Sequence, residues 1–264
     1  MELSIIVVNY NNYNLTENCV KSVLRTVKDI KFEIIVIDNN SPNNSFHILS
    51  EKFRNCNNVR IIKNSNNEGF GLANNKAVEA SKANVLLFLN PDIEVLEGAI
   101  SNLYKRLLSD EKIGIIGAKL LNKDLTLQYS CRKVLKLGEF LIARTPLKKI
   151  VSKAYVNKLE DRYLLKYLNH DEEIEADWIM GSCMMINKNV FLSVGGFSKD
   201  YFMYFEDVDL CYKVRKLGKI ILYYPEAKMI HLHNQESVKK INKLTLIHLK
   251  SMFTFYRKLK ANRF

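Results

Sequence analysis

Residues 201–211, Tyr-Phe-Met-Tyr-Phe-Glu-Asp-Val-Asp-Leu-Cys, place three carboxylates, Glu206, Asp207 and Asp209, within four positions, directly after five residues that are aromatic or Met. A carboxylate beside apolar surface loses hydration, its pKa rises, and it becomes suited to accepting a proton as a general base. The same letters also write an ordinary helix start. Asp and Glu favour the first turn, and Val208, Leu210 and Cys211 would continue into a buried face. Three further polar clusters, Asn9–Asn12, Asp38–Ser41 and Asn90–Asp92, each follow a short apolar run. Two histidines, His231 and His233, close a later strand-like stretch.

These clusters need elements to hold them. Leu3–Asn9, Phe32–Ile37, Val59–Lys63 and Val85–Leu89 read as buried strands, and Leu15–Thr26, Phe46–Phe53 and Gly71–Ala83 as helices between them. Strands alternating with helices predict an α/β fold with a mostly parallel sheet covered on both faces. In such sheets ligands bind at the carboxyl ends of the strands, which is where the polar clusters fall. The pocket is nucleotide-like by position, yet G-x-G-x-x-G and G-x-x-x-x-G-K-[ST] are both missing, which disfavours dinucleotide and P-loop chemistry. Further on, Ile113–Leu120 and Asp177–Ile186 read as strands. Gln128–Leu168 reads as a long basic stretch, helical in pieces. Lys188–Val194 and Phe205–Leu217 read as helices, the latter closed by Gly218, and Lys219–Tyr224 and Lys228–His231 as strands. In the tail from Val238 to Phe264, Ile241, Leu244, His248, Met252, Phe255 and Leu259 recur at helical spacing, which predicts a basic amphipathic C-terminal helix.

Five scattered cysteines without a C-x-x-C pair argue for a reducing cytoplasm and against a disulfide framework or a zinc site. The first residues read as a strand, not as a signal peptide, and no apolar run approaches the roughly 20 residues of a membrane span. The formal net charge is +12. Ten Lys/Arg against three acids lie between Arg132 and Lys166, and eight Lys/Arg with no acid follow Ser237. Such clusters suit an anionic membrane surface, a phosphorylated substrate or nucleic acid, or are simply a solvated basic face. Nucleic acid is disfavoured because the cations follow no recognition-helix or RNA-binding motif.

Taken in order, nine pieces resemble the family-2 glycosyltransferases, inverting enzymes of the GT-A (Rossmann-like) fold, and are most similar to the bacterial rhamnosyltransferase-like branch. They are Ser4 to Asn11, Ile37 to Ser41, Asn67 to Asn74, Leu89 to Ile93, Gln128 to Arg132, Trp178 to Gly181, Gly195 to Phe197, the stretch 201–211, and Pro225 to His231. The resemblance implies a GT-A catalytic domain over 1–237, with a nucleotide-sugar half (1–125) and an acceptor half (126–237), followed by the helix at 238–264. It implies that Asp38 accepts a hydrogen bond from N3–H of uracil or thymine, with Asn9 and Tyr10 bordering the base. Asn67, Gly69, Asn74 and Asn90 would also line the donor site, Gly69 and Gly71 by letting the chain approach the nucleotide. Asp92, the last residue of the family's D-x-D position, would ligate Mg²⁺ or Mn²⁺ bridging the diphosphate, although Asn90 stands where the family has its first Asp. His231 would be the second metal or diphosphate contact, with His233 as its rival. Trp178 is either a sugar-stacking ring or core, and Gln128 and Arg132 would contact phosphate or acceptor.

On the same resemblance, Asp207 is the catalytic base that deprotonates the acceptor hydroxyl, Glu206 orients acceptor or sugar, and Asp209 caps or pairs within its helix. The expected activity is transfer of L-rhamnose from dTDP-L-rhamnose to a lipid-linked saccharide in surface-polysaccharide assembly. It would take place in the cytoplasm, peripherally on the inner face of the membrane. A UDP-hexose transferase of the same fold is the alternative, and a nucleotide-sugar-binding module without turnover is a further one, disfavoured by the intact acidic residues.

Overall fold

The computed structural model describes residues 1–232 and 243–264. The apolar runs of the first half become β1 (Leu3–Asn9), β2 (Phe32–Asp38), β3 (Val59–Lys63) and β4 (Val85–Leu89). They alternate with α1 (Tyr13–Thr26), α2 (Ser45–Lys52) and α3 (Gly69–Ala80). β1 runs parallel to β2 on one side and β4 on the other, with Asn9 opposite Asp38 at its carboxyl end. Then follow β5 (Ile93–Val95), α4 (Ala99–Leu108), β6 (Ile113–Leu121), β7 (Leu127–Gln128) and β8 (Cys131–Arg132). Next come α5 (Leu137–Arg144), a 3-10 turn (Pro146–Lys149), α6 (Lys153–Tyr163), β9 (Ile174–Ala176) and β10 (Trp178–Ile179). The chain continues with β11 (Cys183–Asn187), α7 (Lys188–Ser193), α8 (Glu206–Lys216), β12 (Ile220–His231) and α9 (Lys243–Lys260).

The main sheet has the order β3-β2-β1-β4-β11-β6-β12-β5. β11 lies antiparallel between β4 and β6, whereas β12 is parallel to β6. The carboxyl ends of β1, β2, β4 and β12 therefore share one edge. Along each inner strand alternate residues face different layers. Ile6, Val8, Ile35, Ile37, Leu86 and Phe88 face a core closed by α3, α8 and α9. Ile5, Val7, Ile34, Val36, Val85 and Leu87 face the core under α1 and α4. Burial on both sides explains runs that are apolar throughout, each large side chain contributing about 1.5–3 kcal/mol.

The second half departs from the sequence reading in informative ways. The stretch 177–186 is broken at Gly181 into β10 and β11, which belong to different sheets. The two short strands expected at 219–231 are one strand, β12, whose pairing with β6 shifts register between Tyr224 and Lys228, around Pro225. Pro lacks the N–H that a ladder needs, so the bulge absorbs it. β5 and α4 were not read from the sequence at all: β5 is only three residues long, too short to show a period. The expected helix at 238–264 is described from Lys243 onward, and residues 238–242 with Ile241 lie outside the described residues.

Candidate active site

At the carboxyl edge of β1 and β2, Asn9 and Asp38 are fully buried, whereas Tyr10 is 47% exposed. Asp38 accepts from Asn9 Nδ2 (2.7 Å) and Ser41 Oγ (2.7 Å) on one oxygen, and from the Ser41 N–H (2.9 Å) on the other. Thr16 Oγ1 in turn donates to Asn9 Oδ1 at 2.8 Å. The acid thus knots the 38–41 turn, with two donors on Oδ2 and one on Oδ1, which keeps a lone-pair site. Asn39 ties this turn to the next loop, donating to Asn67 Oδ1 (2.9 Å) and to the Gly69 carbonyl (3.1 Å). Gly69 has φ +82°, and a Cβ there would stand 2.0 Å from the Phe202 carbonyl oxygen. A Cβ on Gly71 would stand 3.0 Å from Phe197 Cβ and 3.6 Å from Glu206 Cβ. The close approach these glycines permit is therefore to the 197–206 loop of the acidic motif. Asn74 is buried and donates back to the Phe70 carbonyl at 2.9 Å, as a helix-internal bond.

Past β4, the Asn90 N–H donates to the Ser182 carbonyl (3.0 Å) and the Ile93 N–H to the Asn90 carbonyl (3.2 Å), a tight turn that turns Asp92 towards β12. Antiparallel pairing sets His231 opposite Ile93, and His231 Nε2 lies 3.3 Å from Asp92 Oδ1. His231 is buried and Asp92 keeps 19% of its side-chain surface exposed. A carboxylate oxygen beside an imidazole nitrogen, here both buried, is a donor set that Mn²⁺ or Mg²⁺ accepts when diphosphate oxygens and water complete the shell. Among the described residues no group of three or more His, Cys, Asp and Glu is arranged to hold a metal, so such a cation would depend on its substrate. His233 lies outside the described residues.

The acidic motif forms the first turn of α8. Tyr204 and Phe205, which lead into it, both have φ +68°, a left-handed conformation that bulky side chains rarely adopt. Phe205 is held there by packing against Phe140 (5.6 Å between ring centroids), His248 (5.5 Å) and Phe255 (5.6 Å). Asp207 is half-buried and accepts the Gly181 N–H on Oδ2 (2.9 Å) and the Val208 N–H on Oδ1 (2.8 Å). Burial raises its pKa, while those two N–H groups and the Arg132 charge pull it back. Glu206 is 6% exposed, and its Oε2 accepts no hydrogen bond among the described residues. Burial first, then the charge of Asp207, holds its pKa well above the ordinary range. The two carboxyls titrate as a pair. Asp207, which has the N–H donors and the guanidinium, holds a negative charge more readily than Glu206, whose acid form burial favours.

Asp209 faces the other way. It is fully buried, accepts from Tyr201 Oη (3.0 Å) and Lys258 Nζ (2.5 Å), and pairs with Lys213 Nζ at 3.2 Å. Lys213 belongs to α8 and Lys258 to α9, so the third carboxylate pairs within its own helix, as expected, and also binds a distant one. α9 also buries Met252, Phe255 and Tyr256 in the core, and Tyr256 Oη donates to the Leu135 carbonyl at 2.6 Å. With Phe140, Tyr163, Trp178 and Arg132 it walls a cleft of about 480 Å³ that has Glu206 and Asp207 on its floor. Arg132 lies over the Trp178 and Tyr163 rings, 5.1 and 5.2 Å from their centroids, and donates to Tyr163 Oη at 3.1 Å. Trp178 is 7% exposed, its faces largely taken by this stack.

The fold and this site define a sugar-transfer enzyme, and comparison with known proteins agrees. The chain belongs to glycosyl transferase family 2, whose model matches residues 4–212. It is 25% identical over 234 residues to the N-acetylglucosaminyl-diphospho-decaprenol L-rhamnosyltransferase of Mycobacterium tuberculosis (strain ATCC 25618 / H37Rv), covering 84% of this chain and 73% of that protein. To rhamnosyltransferase WbbL of Escherichia coli (strain K12) it is 27% identical over 206 residues, covering 74% of this chain and 73% of the relative. Among solved structures, GalNAc-T7 with UDP, GalNAc and Mn²⁺ superposes with a TM-score of 0.71 at 19% identity. That match takes in 96% of this chain, which spans about half (47%) of the GalNAc-T7 chain. The α/β fold of GT-A type expected from the nine motifs is the one observed, and the protein is a glycosyltransferase.

Of the residues read from the sequence as site candidates, the fold brings Glu206, Asp207 and Trp178 to one cleft and pairs Asp92 with His231. Asn9, Asp38, Asn67 and Gly69 form a linked network beneath the exposed Tyr10. His248 and Tyr256 had not been singled out for the cleft. Their signal was present in the tail, where a His and a Tyr stand on or beside an otherwise apolar stripe. Gly181 was quoted only as the end of a motif. A Cβ there would lie 3.3 Å from Asp207 Cβ, so it is the position that lets Asp207 reach a backbone N–H.

Proposed function

We propose that this protein is an inverting transferase that moves L-rhamnose from dTDP-L-rhamnose to a lipid-linked or growing surface-polysaccharide acceptor. The observation that carries the inverting mechanism is Asp207. It is a carboxylate at the cleft floor, fixed by two backbone N–H bonds, with a raised pKa. Each oxygen keeps a lone-pair site, so Asp207 takes the acceptor hydroxyl proton as that oxygen attacks the anomeric carbon from the face opposite the nucleotide. Glu206, protonated, donates a hydrogen bond to a sugar hydroxyl. The base packs by Tyr10 above the Asn9–Asp38–Ser41 knot, with Asn67, Asn74 and Asn90 completing the donor side. Asp92 and His231 would hold Mg²⁺ or Mn²⁺, which when bound would supply positive charge to the departing diphosphate. The aromatic wall from Phe140 to Tyr256 offers the apolar faces on which acceptor sugar rings stack.

The choice of rhamnose rests on the two rhamnosyltransferase relatives. A UDP-hexose donor in the same site is the second reading, favoured by the UDP of GalNAc-T7. A membrane partner follows from the 3-10 turn. Leu147 and Ile150 are 44% and 81% exposed there, Lys148, Lys149 and Lys153 flank them, and no acid lies between Glu139 and Glu160. Exposed apolar side chains among cations suit an anionic leaflet, which would keep the enzyme peripheral on the cytoplasmic face of the membrane. No described helix is long and apolar enough to cross a bilayer. The test is a donor screen with dTDP-rhamnose, UDP-glucose, UDP-galactose and UDP-N-acetylglucosamine, with Mg²⁺ or Mn²⁺ and a lipid-linked saccharide. The product's anomeric configuration is read by NMR. Preferential turnover of dTDP-rhamnose with inversion is expected, whereas retention would sink the Asp207 mechanism.

A further inference from the structure

Gln128 stands at the foot of the β6–β7 hairpin, opposite Leu120, and it bonds His231 twice. Its Nε2 lies 2.8 Å from the His231 main-chain carbonyl oxygen, and its Oε1 lies 2.9 Å from His231 Nδ1. A main-chain carbonyl can only accept, so the end of the amide that meets it is the NH₂, and the end that meets the ring is the carbonyl. His231 Nδ1 must then carry a proton and donate it. The rest of the hairpin enforces the same order. Asp124 Oδ1, an acceptor, takes the Thr126 hydroxyl proton at 2.6 Å. Thr126 Oγ1 accepts from Asn122 Nδ2 at 2.8 Å, and Asn122 Oδ1 accepts from Gln128 Nε2 at 2.7 Å. Every donor in the line has one direction available, starting from a carboxylate and ending at the imidazole.

We propose that this hairpin relay, with Gln128 as its positioning residue, fixes the tautomer of His231, so that Nε2 is the nitrogen whose lone pair becomes available beside Asp92. An imidazole free to rotate or to move its proton would present N–H toward the carboxylate and its cation in part of the molecules, and each would have to rearrange before binding. The inference rests on the reading of Asp92 and His231 as the cation site, and it gives a function to Gln128. Outer partners that orient a ligating His in this way are worth roughly 10- to 100-fold in metal affinity.

The test begins with long-range ¹H–¹⁵N NMR of the ¹⁵N-His-labelled, metal-free protein, in which the two ring nitrogens of His231 are read separately. A protonated Nδ1 is expected. An unprotonated Nδ1 in the wild type overturns the proposal, whatever the fate of any variant. Gln128→Leu should lose the Nδ1 proton preference and weaken Mn²⁺ binding, measured by electron paramagnetic resonance with UDP and in parallel with dTDP, by roughly 10- to 100-fold. A folded Gln128→Leu protein that retains both the Nδ1 proton and wild-type Mn²⁺ affinity also overturns it. Wild-type protein with a protonated Nδ1 that takes up no Mn²⁺ with either nucleotide sinks the cation-site reading instead.

Discussion

At the scale of single residues, the acidic motif splits into three jobs. With Asp207 as the proposed base, Asp207→Asn should lower transfer by roughly 10²–10⁴-fold while nucleotide affinity, read by calorimetry, stays within error. Because its pKa is raised, the rate should fall with acidity at a pH above that of an ordinary Asp. Glu206 makes the opposite prediction for stability. Its folded-state pKa lies well above the unfolded value, so its contribution is full at low pH and is lost as pH rises toward the folded value. Glu206→Gln should therefore raise the melting temperature, by more at pH 8 than at pH 5. A gain that shrinks with rising pH would contradict the neutral acid. The sequence made the desolvation of the acids legible, since five aromatic or Met residues precede them. It could not show which acid keeps the charge, because the deciding donors, the Gly181 N–H and Arg132, come from segments remote in the chain. For Asp38, Ser41→Ala should preserve nucleotide binding if the acid meets the base directly, and Asp38→Ala should lose it.

At the scale of elements, the parallel first half was readable because burial on both faces writes unbroken apolar runs. The second half was not, because its short strands take their partners from afar: β8 from β10, and β5 from β12. The Gly69 turn shows how the halves lock together. Its φ of +82° and the Phe202 carbonyl 2.0 Å from any added Cβ predict that Gly69→Ala destabilises by about 3 kcal/mol or more, measured by urea unfolding. The sequence shows a glycine-rich helix start, whose obvious use is a nucleotide, and only the fold reveals the acidic loop behind it. The membrane reading also belongs to one element, the 3-10 turn. Replacing Lys148 and Lys149 by Glu should weaken co-sedimentation with phosphatidylserine vesicles by more than the roughly 1 kcal/mol per cation that removal alone costs. Binding to neutral phosphatidylcholine should change little.

At the scale of the whole molecule, a basic amphipathic helix such as α9 can cover its apolar stripe with the domain or with a membrane. Its inner face is docked: Met252 and Phe255 have no exposed surface, and Lys258 sits between Asp209, Asp200 and Tyr201. The helical period showed a buried stripe but could not distinguish protein from lipid as its cover. Removing one partner of a buried ion pair costs about 3–5 kcal/mol, and Lys213 remains to share Asp209, so Lys258→Met should fall toward the lower end. Asp209→Asn combined with Lys258→Met should recover part of the loss. That ion pair also sets an order of events during synthesis. Asp209 emerges 49 residues before Lys258, which at 5–20 residues per second is roughly 2 to 10 s of translation. Through that interval α8 carries a buried carboxylate with Lys213 as its counter-charge, and the cleft lacks the His248, Phe255 and Tyr256 side of its wall. A chain interrupted there would leave that side open, so the cleft is completed only when the polypeptide has been made through α9.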